Sequence, residues 1–122
     1  YRECDRLREG SPVPEPEAPD ELMAALRRGD PHALGRALHN DLQPAAMSLR
    51  PHLAHVLSVG HEYGALGGLI SGSGPTCAFL ARDDEHALDL AVAFTASGVC
   101  RSVRRAHGPV QGARVVDQRD VA

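Results

Sequence analysis

The chain has 122 residues, 43% of them apolar but only 3% aromatic and none tryptophan, which allows a single domain with a core of leucine, valine and alanine. A net charge of −3 and the lack of a basic run interleaved with aromatics argue against a nucleic-acid partner, and because all 13 basic residues are arginine, no lysine-dependent chemistry can come from this chain. Cys4, Cys77 and Cys100 are too scattered for a disulfide framework or a zinc site, and no stretch is long and apolar enough to span a membrane, so a reduced, cytoplasmic setting with no membrane partner is expected.

The opening "YRECDRLR", residues 1–8, starts in mid-element and is expected to be the end of a truncated upstream element. Residues 9–19 carry prolines at 12, 14, 16 and 19 among glutamates, a composition that neither nucleates a helix nor buries surface, and predict an exposed connector. A helix follows, with Asp20 as candidate N-cap, Leu22, Ala25 and Leu26 on one face and Gly29 as the stop. Asp30 and Pro31 open a second, with Leu34, Ala37 and Leu38 facing inward. Pro44 and Pro51 are read as breaks, after which Leu53, Val56, Leu57 and Gly60 recur at amphipathic helical spacing up to a C-cap at Gly64.

Two short apolar runs, residues 66–71 and 77–81, flank Gly72-Ser73-Gly74-Pro75-Thr76 and predict a β-hairpin around a glycine-dependent turn. Acidic residues then lead a helix whose inward face is Ala87, Leu90, Ala91 and Phe94, stopped by Gly98. Residues 99–106 predict a third strand, residues 113–116 a possible fourth, and residues 118–122 a tail. This order predicts an α+β fold, with helices packed on one face of a small, mostly antiparallel sheet.

The glycine turn is the main candidate for chemistry, because glycine lets a ligand approach backbone N–H groups closely. It lacks the third glycine of a dinucleotide fingerprint and the lysine of a P-loop, and it leads into a strand rather than a helix, so a purely steric turn stays open beside a ligand loop. Asn40 and Asp41 suit backbone hydrogen bonding near a helix end. His52 and His55 lie one turn apart without a third ligand, so no metal site is expected there, and Cys77 reads as a buried apolar residue rather than a nucleophile.

Taken together, residues 38–80 resemble the carboxy-terminal lobe of the GHMP small-molecule kinases: Ser71-Gly72-Ser73-Gly74-Pro75-Thr76 is similar to their third signature motif. Asn40-Asp41-Leu42-Gln43, Pro51 and Gly64-Ala65 are most similar to the branch that phosphorylates a cytidine-diphosphate-linked methylerythritol in the non-mevalonate isoprenoid pathway. "YRECDRL" resembles that branch's aromatic-rich segment, with Cys4 at its second aromatic position.

The resemblance implies a kinase C-terminal domain over 20–117 and ATP-dependent phosphoryl transfer, usually with Mg²⁺, by the full-length protein. It places the reactive residues, and most of the ATP and Mg²⁺ contacts, in an amino-terminal lobe that would be this chain's partner. No catalytic residue is therefore expected here, and the fragment alone is expected to be inactive. Gly72, Ser73, Gly74, Pro75 and Thr76 would form a loop lining the cleft, with backbone amides as the working groups, and Tyr1 matches the position of an aromatic that stacks on the cytosine ring in some members, with a frayed terminal residue as the other reading. Without its partner lobe the chain is expected to be marginally stable or self-associating. A kinase of homoserine or mevalonate type, and a non-catalytic α+β module that binds a small anion through the glycine turn, are the alternatives.

Overall fold

A computed structural model describes residues 1–12 and 15–116, so the predicted tail at 118–122 lies outside the described residues. The elements are α1 (Arg2–Leu7), α2 (Asp20–Arg28), α3 (Pro31–Ala37), α4 (Gln43–Leu49), α5 (His52–Glu62), β1 (Gly67–Ile70), β2 (Cys77–Leu80) and α6 (Asp84–Ser97).

Local chemistry sets most of the helix boundaries. The Asp30 carboxylate accepts from the Ala33 N–H at 2.9 Å and Pro31 fills the first turn of α3, where its missing N–H costs nothing. Asp83 caps α6 in the same way, accepting from the His86 N–H at 2.8 Å. Left-handed glycines end α2 and α6 at Gly29 and Gly98, as the sequence predicts. Two boundaries differ from expectation. Asp20 is the first residue of α2 rather than its cap, because Pro19 takes the extended cap conformation and no side chain bonds the helix end. Pro44 is the second residue of α4 instead of breaking a helix, since a proline within the first turn removes no intrahelical bond.

β1 and β2 pair antiparallel with Gly67 opposite Leu80 and Ile70 opposite Cys77, the hairpin that the two apolar runs predict. Strand alternation puts Gly68, Ile70, Cys77 and Phe79 on one face. Two apolar clusters form over that face. Val56, Val59, Leu90, Phe94 and Val99 make the first, joined by Phe79, whose ring centroid lies 4.6 Å from that of Phe94. Ala46, Leu53 and the fully buried Ile70 make the second, and Cys77 packs against both. On the opposite face Gly67 meets α3 backbone to backbone: a Cβ there would fall 2.2 Å from the Gly35 carbonyl oxygen. That approach fixes the exit of α3, and hence Asn40, beside β1.

The α+β class holds, with the sheet reduced to this one pair among the described residues. The expected strands at 99–106 and 113–116 are not formed. Val99 is buried and Cys100 and Val103 pack on the first cluster, but Arg101, Ser102, Arg104 and Arg105 are exposed, so burial does not alternate with the two-residue period of a strand. Val115 is 99% exposed and Val116 47%, so neither valine of residues 113–116 is buried as a paired core strand would require.

Candidate functional site

The register that ends at Ile70 and Cys77 leaves six residues, Ser71 to Thr76, to reverse the chain. The Ser71 N–H donates to the Thr76 carbonyl at 2.7 Å and the Gly74 N–H to the Ser71 carbonyl at 3.0 Å, closing a small ring inside the loop. Gly72 and Gly74 have φ of 56° and 75°, a left-handed backbone that strains any residue with a Cβ. Gly74 faces inward onto the second cluster, where a Cβ would stand 3.2 Å from Ile70 Cγ2. Ser71, Gly72, Ser73, Pro75 and Thr76 are exposed. Among the described residues, no hydrogen bond uses the N–H of Gly72, Ser73 or Thr76, or the hydroxyl of Ser71, Ser73 or Thr76. The loop thus rests on apolar side chains behind and presents donors in front.

Behind the loop, Asn40 lies in the short link between α3 and α4. Its Nδ2 donates to the carbonyls of Ile70 at 2.6 Å and Gly72 at 2.8 Å, while its Oδ1 accepts from the Leu42 N–H at 3.0 Å. Gln43 adds a further tie, its Oε1 accepting from the Ile70 N–H at 3.0 Å. Asp41 has no part in this contact; it pairs on the surface with His39 at 2.8 Å. Sequence spacing identifies Asn40 as a backbone-bonding residue but not its partners, which lie 30 and 32 residues away. Gln43 was legible only as part of the Asn-Asp-Leu-Gln run.

Tyr1 is 86% exposed at the start of α1. α1 docks on α4 through buried Cys4 and through the Ser48 hydroxyl, which donates to Glu3 at 2.8 Å. Arg6 donates to the other oxygen of Glu3 at 2.9 Å. Hydrogen bonds from Arg6 and then Ser48 hold the Glu3 carboxyl down at about 2. The described contacts do not join Tyr1 to the glycine loop; what connects them is α4, whose Ala46 lies under Gly74.

His52 serves the fold, its Nε2–H donating to the Val99 carbonyl at 2.7 Å. Cys77 is half-buried, and burial, with Cys100 second, pushes its thiol up, as befits a packed residue rather than a nucleophile. His86 is a buried polar residue that helical periodicity does not single out: its Nδ1 accepts from the Arg82 N–H at 3.1 Å and so ties α6 to the end of β2. Among the described residues no group of three His, Cys, Asp or Glu side chains is placed to hold a metal ion, and none of loop residues 71–76 is acidic. No helix described is long and apolar enough to cross a membrane.

Chemically, the loop is a neutral donor surface. Backbone amides and three hydroxyls, held by two glycines and an amide clamp, suit the oxygens of an anion and offer neither a base nor a nucleophile. The chain is 57% identical over 116 residues to the 4-diphosphocytidyl-2-C-methyl-D-erythritol kinase of Thermobifida fusca, covering 95% of this chain and 37% of that protein. It is 53% identical over 117 residues to the same-named kinase of Streptomyces coelicolor, covering 96% and 39%, and 52% identical over 116 residues to that of Mycobacterium tuberculosis, covering 95% and 36%. The chain therefore spans less than two fifths of the length of these relatives. Residues 22–100, from α2 to the end of the first core cluster, match the GHMP kinases C terminal family, and the chain belongs to that family.

Proposed function

We propose that this chain is the C-terminal lobe of an ATP-dependent kinase that phosphorylates a hydroxyl of 4-diphosphocytidyl-2-C-methyl-D-erythritol, in the cytoplasm, as a step of non-mevalonate isoprenoid synthesis. The observation that carries the proposal is the Ser71–Thr76 loop, exposed at Gly72 and Ser73 and with no acceptor for their N–H groups among the described residues, in a domain of this kinase family. Relatives over 50% identical along nearly the whole chain bear that kinase's name, which favours it over a homoserine or mevalonate type.

When bound, ATP supplies the phosphoryl group. Gly72, Ser73, Gly74, Pro75 and Thr76 would line one wall of the cleft, with the unused N–H groups of Gly72, Ser73 and Thr76 as donors to phosphate oxygens, where fixed donors stabilise negative charge without reorganising. Tyr1 would offer a flat face to the cytosine ring. The residues here do not fit a Mg²⁺ site: the loop is neutral, and nearby Asp41 is paired with His39. The acid–base chemistry, the metal ligands and the rest of the ATP site belong to an amino-terminal lobe supplied by the full-length protein.

The test is transfer of γ-labelled phosphate from ATP by the full-length protein, with the diphosphocytidyl compound, homoserine and mevalonate offered separately. Transfer to the first alone is expected, with none by residues 1–122 in isolation. Transfer only to homoserine or mevalonate would replace the substrate. Anion binding without any transfer would leave the binding-module alternative.

A further inference from the structure

We infer that Asn40 is a positioning residue for phosphoryl transfer: its one side-chain amide, by capturing the carbonyls of both Ile70 and Gly72, turns the acceptor side of the glycine loop inward and leaves the donor side for the ligand. The inference rests on the kinase function proposed above and adds to it the device that gives the loop its polarity.

A loop of small residues has no intrinsic reason to show donors rather than acceptors, because each peptide carries both and glycine permits either orientation. In this loop the choice is made from outside. The Asn40 Nδ2 lies 2.6 Å from the Ile70 oxygen and 2.8 Å from the Gly72 oxygen, so both of its hydrogens are committed to carbonyls on either side of Ser71. The opposite atom of the same amide, Oδ1, is fixed by the Leu42 N–H at 3.0 Å, which sets the orientation of the amide plane. Gln43 holds the Ile70 N–H, and Gly35 against Gly67 keeps the exit of α3 at the strand. The Gly72 carbonyl shares a trans peptide with the Ser73 N–H, so holding that carbonyl toward Asn40 points the Ser73 N–H the opposite way, while the Ser71 carbonyl, in the same peptide as the Gly72 N–H, is held within the loop by the Gly74 N–H. Only an amide can do this, since an isosteric carboxylate would accept from Leu42 and repel both carbonyls.

That asymmetry supplies the test, made in the full-length protein. Asn40→Asp keeps the acceptor for Leu42 and loses both donors. At neutral pH its kcat/KM should fall by about 30- to 100-fold, the scale set by a small displacement of a positioning group, and in kcat more than in KM for the alcohol. Acidification should return part of the loss relative to the wild-type profile, because the protonated carboxyl can donate again. Asn40→Ala should lose as much with no such return. Amide hydrogen exchange should quicken over residues 71–77 in Asn40→Asp and stay unchanged in α6.

If the wild type transfers phosphate and Asn40→Asp stays within about threefold of it, the inference is overturned while the kinase function stands. Equal losses in both variants with the wild-type pH profile and unchanged exchange at 71–77 overturn it too. If the wild type transfers nothing, the proposed function falls, and exchange alone decides the clamp: faster exchange at 71–77 in Asn40→Asp upholds it, and unchanged exchange ends it. Should Asn40→Ala not fold, Asn40→Asp, which preserves the Leu42 bond, carries the test.

Discussion

Gly60→Ala on α5 sets helix propensity against packing, and the structure decides which wins. Alanine in a helix interior is favoured over glycine by about 1 kcal/mol. Against that, the new methyl would be placed 2.1 Å from Cε1, 2.5 Å from Cδ1 and 2.9 Å from Cζ of Phe79, well inside contact distance of a whole ring edge. The ring has little freedom to retreat, because Phe94 holds its centroid at 4.6 Å and the ring already lies over Gly68, where a Cβ would fall 2.6 Å from Cδ1. Overpacking of this kind costs about 1–3 kcal/mol, and disturbing the aromatic pair adds about 0.5–1.5 kcal/mol.

The net expectation is a destabilisation of about 1–3 kcal/mol, a fall in Tm of roughly 4–12 °C for a domain of this size. Thermal unfolding followed by far-ultraviolet circular dichroism measures it. In a Phe79→Leu background the same Gly60→Ala change should be neutral or stabilising, giving a coupling of at least about 1 kcal/mol between the two sites. A Gly60→Ala protein with unchanged or raised Tm, or no coupling to position 79, would refute the packing argument.

Three further outcomes are expected. The Glu3 carboxyl, held at about 2 by Arg6 and Ser48, is depressed in the folded state, so its contribution is full above the ordinary glutamate range and is lost as pH falls through about 2; Glu3→Gln should lower Tm at neutral pH and converge with the wild type in strong acid. Gly72→Ala meets open space but keeps a φ of 56°, so only the backbone cost of about 1–2 kcal/mol applies, and kcat/KM of the full-length protein should drop by about tenfold with a small change in Tm; an active Gly72→Ala enzyme would mean that the loop does not need this conformation. Residues 1–122 alone expose Leu49, Leu88 and Val92, and should sediment with a concentration-dependent average mass; a single monomeric species at all concentrations would contradict an uncovered apolar face.

Local chemistry carried much of the fold in legible form. Asp30 with Pro31, the acidic start of α6, the glycine stops at 29 and 98 and the two apolar runs around the glycine turn each act within a few residues, so the helices that they bound and the hairpin could be read directly. Short β-branched segments such as 99–106 were misread because strand propensity says nothing about whether a ladder partner exists, and here Val99 and Val103 pack on helices instead. His86 escaped notice because nothing local shows that a histidine beside an acidic helix start will be drawn inward to bond the backbone of Arg82.

For the site, the sequence by itself determined the motif, the absence of lysine and therefore the absence from this chain of any lysine-based phosphate chemistry. It also determined that Gly72 and Gly74 would stand where the backbone must turn, since glycine is the residue that adopts a left-handed φ without strain. Which backbone groups of that turn are held against the domain was decided only by tertiary structure. The deciding contacts run from Asn40 and Gln43 to residues 27 to 32 positions away, and hydrogen bonds over such separations exist only after α3 has packed on β1 and brought the two segments together.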